Sequence, residues 1–290
     1  MNNFINIFEM SPRDGLQNEK KFITTDDKIK FINKLSLCGF KKIETSSFVS
    51  PKWVPQLSDS LEVFTRIKRT KNTKYTALTP NEIGFDRALK ANVDEIAIFA
   101  AASETFSLKN INCDIETSLE RFKPLVLKAL KHKIPVRGYI SCVAHCPYED
   151  YVDPKKVATI ASKLLQMGCY EISLGDTTGK GMPDQIKTIL EECLMLTTPD
   201  MLAGHFHDTF KNALDNISVC LEHGIKTFDS SVGGLGGCPY SPGAKGNVAT
   251  EKVNKLLLSK GYETELNEER ILECSQIATK LKSDGTYEWP

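Results

Sequence analysis

The chain has 290 residues, of which 41% are hydrophobic and 26% are charged, and its 37 Lys and Arg residues balance its 37 Asp and Glu residues. This balance excludes a general basic surface, so we expect no nucleic-acid partner, and no apolar run reaches the ~18 residues that a membrane span needs, so we expect no membrane partner. The length allows one large domain or two ordinary ones, and the first residues lack the basic and apolar regions of a signal peptide, so we expect a cytoplasmic protein.

Eight short runs rich in apolar and β-branched residues follow one another along the chain, and each is followed by a polar break. They cover residues 5–10, 42–47, 74–79, 95–101, 136–142, 171–177, 202–208 and 227–233. Runs of this length and composition predict eight β-strands.

Helical patterns lie between most of these runs. Residues 25–38 begin with a Thr25 N-cap, residues 153–167 begin with an Asp153 N-cap, and residues 211–223 repeat the same apolar stripe. Strands that alternate with helices pair in parallel, and eight such units are the number found in a (β/α)8 barrel. We therefore predict an α/β fold, a (β/α)8 TIM barrel with a short C-terminal helical tail, as a single domain over residues 1–290. A doubly wound open sheet is the alternative, but the turn after the first run has no GxGxxG pattern.

Candidate metal ligands lie near the end of the seventh run and after the first run, at the strand ends where TIM barrels carry their chemistry. His205 and His207 are two residues apart, so both imidazoles face the same side of a strand. The HxH pattern alone does not decide between a divalent metal ion and two hydrogen-bonded histidines, but its position at the end of a barrel strand favours the metal ion. After the first run, Asp14 can supply a carboxylate and Arg13 a fixed cation, although residues 12–15 also fit an ordinary β-turn.

A glycine-rich segment follows the eighth run, with six of the 18 glycines between positions 233 and 246. Such a loop can approach a ligand closely and can move as a lid. Cys238 lies in this polar loop, unlike most of the nine cysteines, whose odd number and spread also predict reduced thiols. A thiol in this place can transfer a proton or act as a nucleophile. Asn247 can give a metal its amide oxygen or cap the following helix.

Two further carboxylates lie on predicted strands. Glu44 lies within the second run, where it either points into the barrel mouth or forms a salt bridge. Asp176 ends the sixth run and can orient a ligand histidine or Arg13 from outside the metal centre.

Three motifs together resemble the 3-hydroxy-3-methylglutaryl-CoA lyase family, which belongs to a group of metal-dependent TIM barrels. They are RDGLQNE at 13–19, HxH at 205–207, and GGLGGCPY at 233–240 followed by GAKGN at 243–247. The first two motifs are shared with Claisen-condensing enzymes of that group, whereas the glycine-rich loop is specific to the lyases. The resemblance extends from about residue 5 to residue 275.

The resemblance implies cleavage of 3-hydroxy-3-methylglutaryl-CoA to acetyl-CoA and acetoacetate, as in leucine degradation and ketone-body metabolism, by a homo-oligomer. It assigns Mg²⁺ or Mn²⁺ to Asp14, His205, His207 and Asn247. It assigns catalysis to Cys238, Arg13, Asp14, Glu44 and Asp176, and substrate binding to Arg13 and Gln17. In this assignment Arg13 stabilises the enolate of acetyl-CoA, and Cys238 serves in acid–base catalysis.

Three other functions stay open at this point. A lyase for a longer 3-hydroxy-3-alkylglutaryl-CoA would carry the same motifs. A Claisen-condensing acyl-CoA synthase would run on into a large C-terminal region, whereas few residues follow Asn247 here. A barrel that binds zinc or senses redox state through its thiols would have no lyase activity.

Overall fold

The computed structural model describes residues 3–19, 21–236 and 246–282. Its strands are β1 (Asn6–Glu9), β2 (Lys42–Ser47), β3 (Lys74–Leu78), β4 (Glu95–Ala101), β5 (Val136–Ser141), β6 (His145–Cys146), β7 (Asp150–Tyr151), β8 (Glu171–Asp176), β9 (Leu202–Phe206) and β10 (Thr227–Ser230). Eight of them close into a barrel in the order β1-β10-β9-β8-β5-β4-β3-β2, and every neighbouring pair is parallel. The predicted TIM barrel is confirmed, and closure between β1 and its two neighbours excludes the open sheet.

The described helices surround this barrel. They are α1 (Thr25–Leu35), α2 (Ser60–Arg66), α3 (Glu82–Lys90), α4 (Glu104–Ile111), α5 (Ile115–Lys131), α6 (Pro154–Met167), α7 (Pro183–Leu194), α8 (Ala213–Glu222), α9 (Thr250–Ser259) and α10 (Glu268–Lys282). None of the helices in the described ranges is both long enough and apolar enough to cross a membrane. The short strands β6 and β7 form a small antiparallel hairpin outside the barrel, which the sequence patterns did not predict.

Helix caps agree with the sequence in one case and differ in another. Asp153 caps α6 as predicted, with its side chain accepting a hydrogen bond from the backbone N–H of Lys155 at 3.0 Å. At α1 the predicted cap, Thr25, is wrong, because Thr24 accepts the capping bond from the N–H of Asp27. The hydroxyl of Thr25 instead donates to Asp59 at 2.7 Å, so a tertiary contact decides between two adjacent threonines.

The C-terminal helix α10 packs against α1 and buries its apolar face there. Gly39, which ends the turn after α1, has φ 99°, and a Cβ at this position would lie 2.5 Å from the carbonyl oxygen of Glu265. The glycine therefore lets the segment before α10 lie close to the barrel. The thiols of Cys38 and Cys274 lie 3.6 Å apart in this contact, and both are buried and free.

The interior of the barrel differs from the shell between strands and helices. One small apolar cluster lies inside, formed by Phe8, Met10, Leu78, Ala97 and Tyr139 with Val49 and Phe99 at its edge. The remaining interior contains buried ionic groups, which we call the interior charge network: Arg13, Glu44, Arg137, Glu171 and Asp229. The large apolar cluster lies outside the strands, against the helices. Function therefore has to be sought inside the barrel and at its carboxyl end.

Candidate active site

The turn that follows β1 places two charged residues at the barrel mouth. Its residues, Ser11–Gly15, form one turn of π-helix in which the Met10 carbonyl accepts N–H bonds from Arg13, Asp14 and Gly15 at 3.2, 2.9 and 3.2 Å. The geometry is helical and not the β-turn that the sequence also allowed. Single π-helical turns are frequent at functional sites, because the extra residue changes the direction of the side chains that follow.

Three of the predicted metal ligands lie together at this mouth. Asp14, His205 and His207 each offer one ligand atom, and these atoms all lie within 4.8 Å of one another. His205 belongs to β9 and His207 directly follows it, so the strand period places both imidazoles on the inner face.

Asn247 joins the same group through the backbone. It pairs with His207 across an antiparallel bridge, and Val248 donates its N–H to the carbonyl of Phe206 at 3.0 Å. The Asn247 side chain is buried and donates from Nδ2 to Oδ2 of Asp14 at 2.6 Å. A rotation of this amide by 180° would exchange its nitrogen and oxygen and turn the oxygen toward the ligand group.

The chemistry of these donors fits a divalent cation. Nδ1 of His207 is buried and has no hydrogen-bond partner among the described residues, and such an atom is costly unless something binds it. Burial and the neighbouring His205 lower the pKa of His207 to about 4, so the ring is neutral at ordinary pH, as a metal ligand must be. A set of one carboxylate, two imidazoles and one amide oxygen suits a hard or borderline divalent ion.

Asp14 is held in its charged form. Burial alone would raise its pKa, but Arg13 and the two histidines lower the pKa to about 2. Gln17 donates from Nε2 to the same carboxylate at 2.8 Å. The structure therefore places Gln17 against a candidate metal ligand.

Arg13 is fixed by two carboxylates. Its Nε donates to Glu44 and its Nη1 donates to Oδ1 of Asp14 at 2.6 Å. Burial would lower the pKa of Arg13, but Glu44 and Asp14 raise it, so the guanidinium stays charged. Glu44 is fully buried inside the barrel, so both sequence alternatives hold: it points inward and it forms a salt bridge.

Among the described residues, Asp176 makes no hydrogen bond to a ligand histidine or to Arg13, and its role stays a prediction. Its Oδ2 accepts a hydrogen bond from the N–H of Gly181 at 2.9 Å, and its Oδ1 has no partner within the described part of the chain. The physical reason is strand alternation, because Glu171 and Ser173 of β8 contact interior groups and Asp176 falls on the opposite face. Burial raises the pKa of Asp176 to about 6.

Asp229, which the sequence analysis missed, is the carboxylate that contacts a candidate ligand histidine. It lies beside His205 on the neighbouring strand β10, and its Oδ2 is 3.2 Å from Nδ1 of that ring. The available signal was an acidic residue inside the apolar run 227–233. Asp229 directly follows Phe228, so the two side chains face opposite sides of the strand. Its partner on β9 could not be found without the barrel register.

Cys238 lies outside the described residues. The described ends of the glycine-rich segment meet at the site, because Gly246 donates its N–H to the carbonyl of Gly236 at 3.1 Å. A Cβ on Gly236 would lie 2.8 Å from Nδ2 of Asn247, so a side chain larger than hydrogen would crowd the candidate metal centre.

Comparisons with known proteins agree with this architecture. A family model described as HMGL-like matches residues 4–278. The 3-hydroxy-3-isohexenylglutaryl-CoA/hydroxy-methylglutaryl-CoA lyase of Pseudomonas aeruginosa is 50% identical over 284 residues, which cover 97% of this chain and 95% of that protein. The crystal structure of the HMG-CoA lyase from Brucella melitensis has a TM-score of 0.96 at 50% identity, with 97% of this chain and 99% of that chain covered. An HMG-CoA lyase from Acinetobacter baumannii, solved in complex with coenzyme A and 3-methylmalate, has a TM-score of 0.91 at 38% identity, with 97% and 92% covered.

Proposed function

The chain belongs to the HMGL-like family, and we propose that it is a carbon–carbon lyase that cleaves 3-hydroxy-3-methylglutaryl-CoA to acetyl-CoA and acetoacetate. The observation that carries this proposal is the direct contact between a fixed cation, Arg13, and a candidate metal ligand, Asp14. A retro-Claisen cleavage needs these two groups side by side, because it loads charge onto a hydroxyl oxygen and then onto a thioester oxygen.

The cation site comes first in the mechanism. Asp14, His205, His207 and Asn247 would hold Mg²⁺ or Mn²⁺, and the ion would supply Lewis acidity to the tertiary hydroxyl of the substrate. Asp14 contributes a permanent negative charge, and the two imidazoles contribute neutral nitrogens. This mixed donor set supports either of the two ions.

Arg13 stabilises the charge that develops on the thioester oxygen. Its Nε and Nη1 are engaged by Glu44 and Asp14, which leaves Nη2 for the oxygen of the developing thioester enolate. Because these two bonds orient the guanidinium before the substrate arrives, it stabilises the enolate without reorganising during the reaction. Glu44 therefore supports catalysis by holding Arg13.

The tertiary hydroxyl must lose a proton as the carbon–carbon bond breaks and a ketone forms, and the carbanion of acetyl-CoA that is left must receive one. We assign this acid–base role to Cys238, which follows Gly236 by two residues in the glycine-rich segment. The support is the position of Gly236 and Gly246 beside Asn247, together with the absence of a described cysteine from the site. To Asp176, which is buried at the end of β8, we assign support of the loop that contains Gly181.

One specific observation favours a second substrate. The relative from Pseudomonas aeruginosa is named for both 3-hydroxy-3-isohexenylglutaryl-CoA and hydroxymethylglutaryl-CoA. A longer 3-alkyl group leaves the metal and Arg13 chemistry unchanged and alters only the pocket around that group. A panel of 3-alkylglutaryl thioesters decides this point, and faster turnover of the longer chain would replace the shorter substrate in the proposal.

The experiment that tests the function measures acetoacetate release from 3-hydroxy-3-methylglutaryl-CoA, with and without EDTA. We expect loss of activity with EDTA, recovery with Mg²⁺ or Mn²⁺, and a loss of at least ~10²-fold in Cys238→Ala, the usual scale for acid–base groups. Cys193→Ala, on a buried face of α7, is the matched control and should keep its activity. Tight zinc binding without lyase activity after Mg²⁺ is supplied would instead favour a zinc or thiol sensor.

Three broader assignments stay predictions. We propose one domain over residues 1–290, a homo-oligomer of two or more chains, and a cytoplasmic location. Limited proteolysis, sedimentation velocity and cell fractionation, respectively, test them.

A further inference from the structure

The centre of the interior charge network is Arg137 on β5, which is fully buried inside the barrel. Its Nε donates to Glu171 at 2.7 Å, and its Nη1 donates to the hydroxyl of Tyr139 at 3.2 Å. Nη1 also donates to Oδ2 of Asp229 at 3.1 Å, while Nη2 lies 2.9 Å from Oδ1 of the same carboxylate in an ion-pair contact. A guanidinium held from three sides in this way cannot rotate without leaving buried charges unpaired.

Asp229 connects this arginine to the metal centre. Its Oδ2 accepts a hydrogen bond from Ser173 at 2.7 Å and lies 3.2 Å from Nδ1 of His205. Both Asp229 and the side chain of Arg137 are excluded from solvent, so no water competes for these contacts. The carboxylate is therefore a fixed acceptor aimed at one nitrogen of the ring.

The Asp229 carboxylate determines which nitrogen of His205 carries the proton. A neutral imidazole that donates from Nδ1 keeps a lone pair on Nε2. Nε2 of His205 faces the candidate metal position, 4.0 Å from Oδ2 of Asp14. The proton position that Asp229 selects is thus the one that leaves the metal-facing nitrogen free to bind.

A second chain of contacts runs from Arg137 through Tyr139 to Asp14. The hydroxyl of Tyr139 donates to Oε1 of Glu44 at 3.1 Å, and Glu44 accepts from Nε of Arg13. Arg13 in turn donates to Oδ1 of Asp14, whereas His205 lies nearest to Oδ2 of the same carboxylate. Arg137 therefore begins two chains of contacts, and these end at the two different oxygens of Asp14.

We propose that Asp229 and Arg137 are positioning residues of this centre: Asp229 fixes the tautomer and ring orientation of His205, and Arg137 fixes the carboxylate of Asp229. The proposal rests on the metal centre of the proposed function and not on the lyase reaction itself. A purely structural ion pair would stabilise the barrel but would leave the metal affinity of the folded protein unchanged.

The test measures Mn²⁺ binding to the folded protein without substrate, by the electron paramagnetic resonance signal of free Mn²⁺. Asp229→Asn keeps the shape of the side chain and removes its charge, and we expect the Mn²⁺ dissociation constant to rise about 10- to 100-fold, as for other partners of metal-bound histidines. Arg137→Lys keeps the charge but loses the planar fork, and we expect a rise of about 10-fold.

Ser173→Ala is the matched control, because it removes a hydrogen bond to the same oxygen of Asp229 without touching His205. We expect its Mn²⁺ dissociation constant to stay within about 3-fold of the wild-type value, well below the rise expected for Asp229→Asn. A folded Asp229→Asn protein that binds Mn²⁺ as the wild type does would overturn the proposal.

A measurement on the wild type keeps the proposal testable if the variants do not fold. ¹⁵N resonances of labelled histidine distinguish the two tautomers, and His205→Gln identifies the signals of His205. We expect the metal-free protein to hold the Nδ1 proton, and a ring protonated at Nε2 alone would contradict the assignment. A wild type that binds no Mn²⁺ would overturn this proposal and the metal centre together, whereas Mn²⁺ binding without lyase activity would overturn only the proposed reaction.

Discussion

Two parts of the barrel are both buried but are built from different chemistry. The shell between strands and helices is apolar, whereas the interior contains the interior charge network and one small apolar cluster. Most TIM barrels fill the interior with branched apolar side chains as well. Here the interior side chains have directional contacts that continue to the candidate active site.

This difference in chemistry gives the two parts different tasks: the shell stabilises the fold, and the interior positions the side chains of the candidate site. Burial of apolar area is non-directional and roughly proportional to the area, so the shell stabilises the fold without fixing any one atom. Ion pairs and hydrogen bonds depend on distance and angle, so the interior fixes the positions of Arg13, Asp14 and His205. Substitutions in the interior should therefore change function more than stability, and substitutions in the shell should do the reverse.

The largest expected effect is that of His207→Ala. This change removes a candidate ligand whose Nδ1 has no partner among the described residues, so we expect Mn²⁺ binding to be lost and kcat/KM to fall by about 10³-fold or more. Isothermal titration with Mn²⁺ and the acetoacetate assay measure the two effects. Thermal unfolding of the metal-free protein serves as the control, and wild-type Mn²⁺ affinity would remove His207 from the site.

Arg13→Met should have the next largest effect. It removes the cation that faces the developing enolate, and we expect kcat to fall about 10²- to 10³-fold, as for other lost oxyanion donors. KM and the Mn²⁺ constant should change much less, because Asp14 still has Gln17 and Asn247 as partners. A variant whose defect lies in KM alone would show that Arg13 binds the ground state and not the transition state.

Leu164→Ala tests the shell. Leu164 on α6 is fully buried, and its Cδ1 would lie 3.3 Å from a Cβ on Gly138 of β5, on the outer face of the barrel wall. We expect the free energy of unfolding to fall by about 2–5 kcal/mol and kcat to stay near the wild-type value. Urea denaturation measures the free energy of unfolding. A fall in kcat comparable to that of Arg13→Met would contradict the distinction between a stabilising shell and a functional interior.

Glu9→Gln should have the smallest effect and a dependence on pH. Glu9 is fully buried, accepts from the N–H groups of Ser11 and Val232 and from the hydroxyl of Thr250, and burial raises its pKa to about 7. A raised acid pKa contributes stability below the unfolded value near 4.5, and that stability is lost as the pH rises through 7.

The variant should remove this loss. Glutamine can accept from both N–H groups and donate to Thr250, so Glu9→Gln should gain stability relative to the wild type as the pH rises from about 5 to 8, by at most ~3 kcal/mol. Urea denaturation at several pH values gives the difference between the two proteins. A difference that is constant with pH would mean that Glu9 does not titrate in this range.

Local patterns were sufficient for most of the fold. All eight barrel strands lie at the predicted positions, because each is a short β-rich run bounded by a polar break. The hairpin of β6 and β7 was missed because two residues per strand carry no periodicity. The choice between Thr24 and Thr25 as a cap depended on Asp59, which is distant in sequence.

The site divides in the same way. The HxH spacing and the RDG motif are local, so Asp14, His205 and His207 could be proposed from the sequence, and the structure brings them together. Asp229 could not be proposed, because its partner is fixed by the register between β9 and β10. The partner of Asp176 could not be proposed either, because Gly181, which donates to it, lies in the loop after β8 and carries no local signal of this contact.

The charges inside the barrel have a consequence for the lifetime of the protein. Arg13 and Arg137 oppose the four carboxylates Asp14, Glu44, Glu171 and Asp229, while Lys42 balances Glu95, so neutral histidines leave an excess of two negative charges. A bound divalent ion would cancel this excess and would stabilise the native state by about 2.7 kcal/mol at a concentration 100 times its dissociation constant. When the ion is scarce, we expect the unfolded fraction to rise and proteases to remove it, so metal starvation should lower the amount of the protein as well as its turnover.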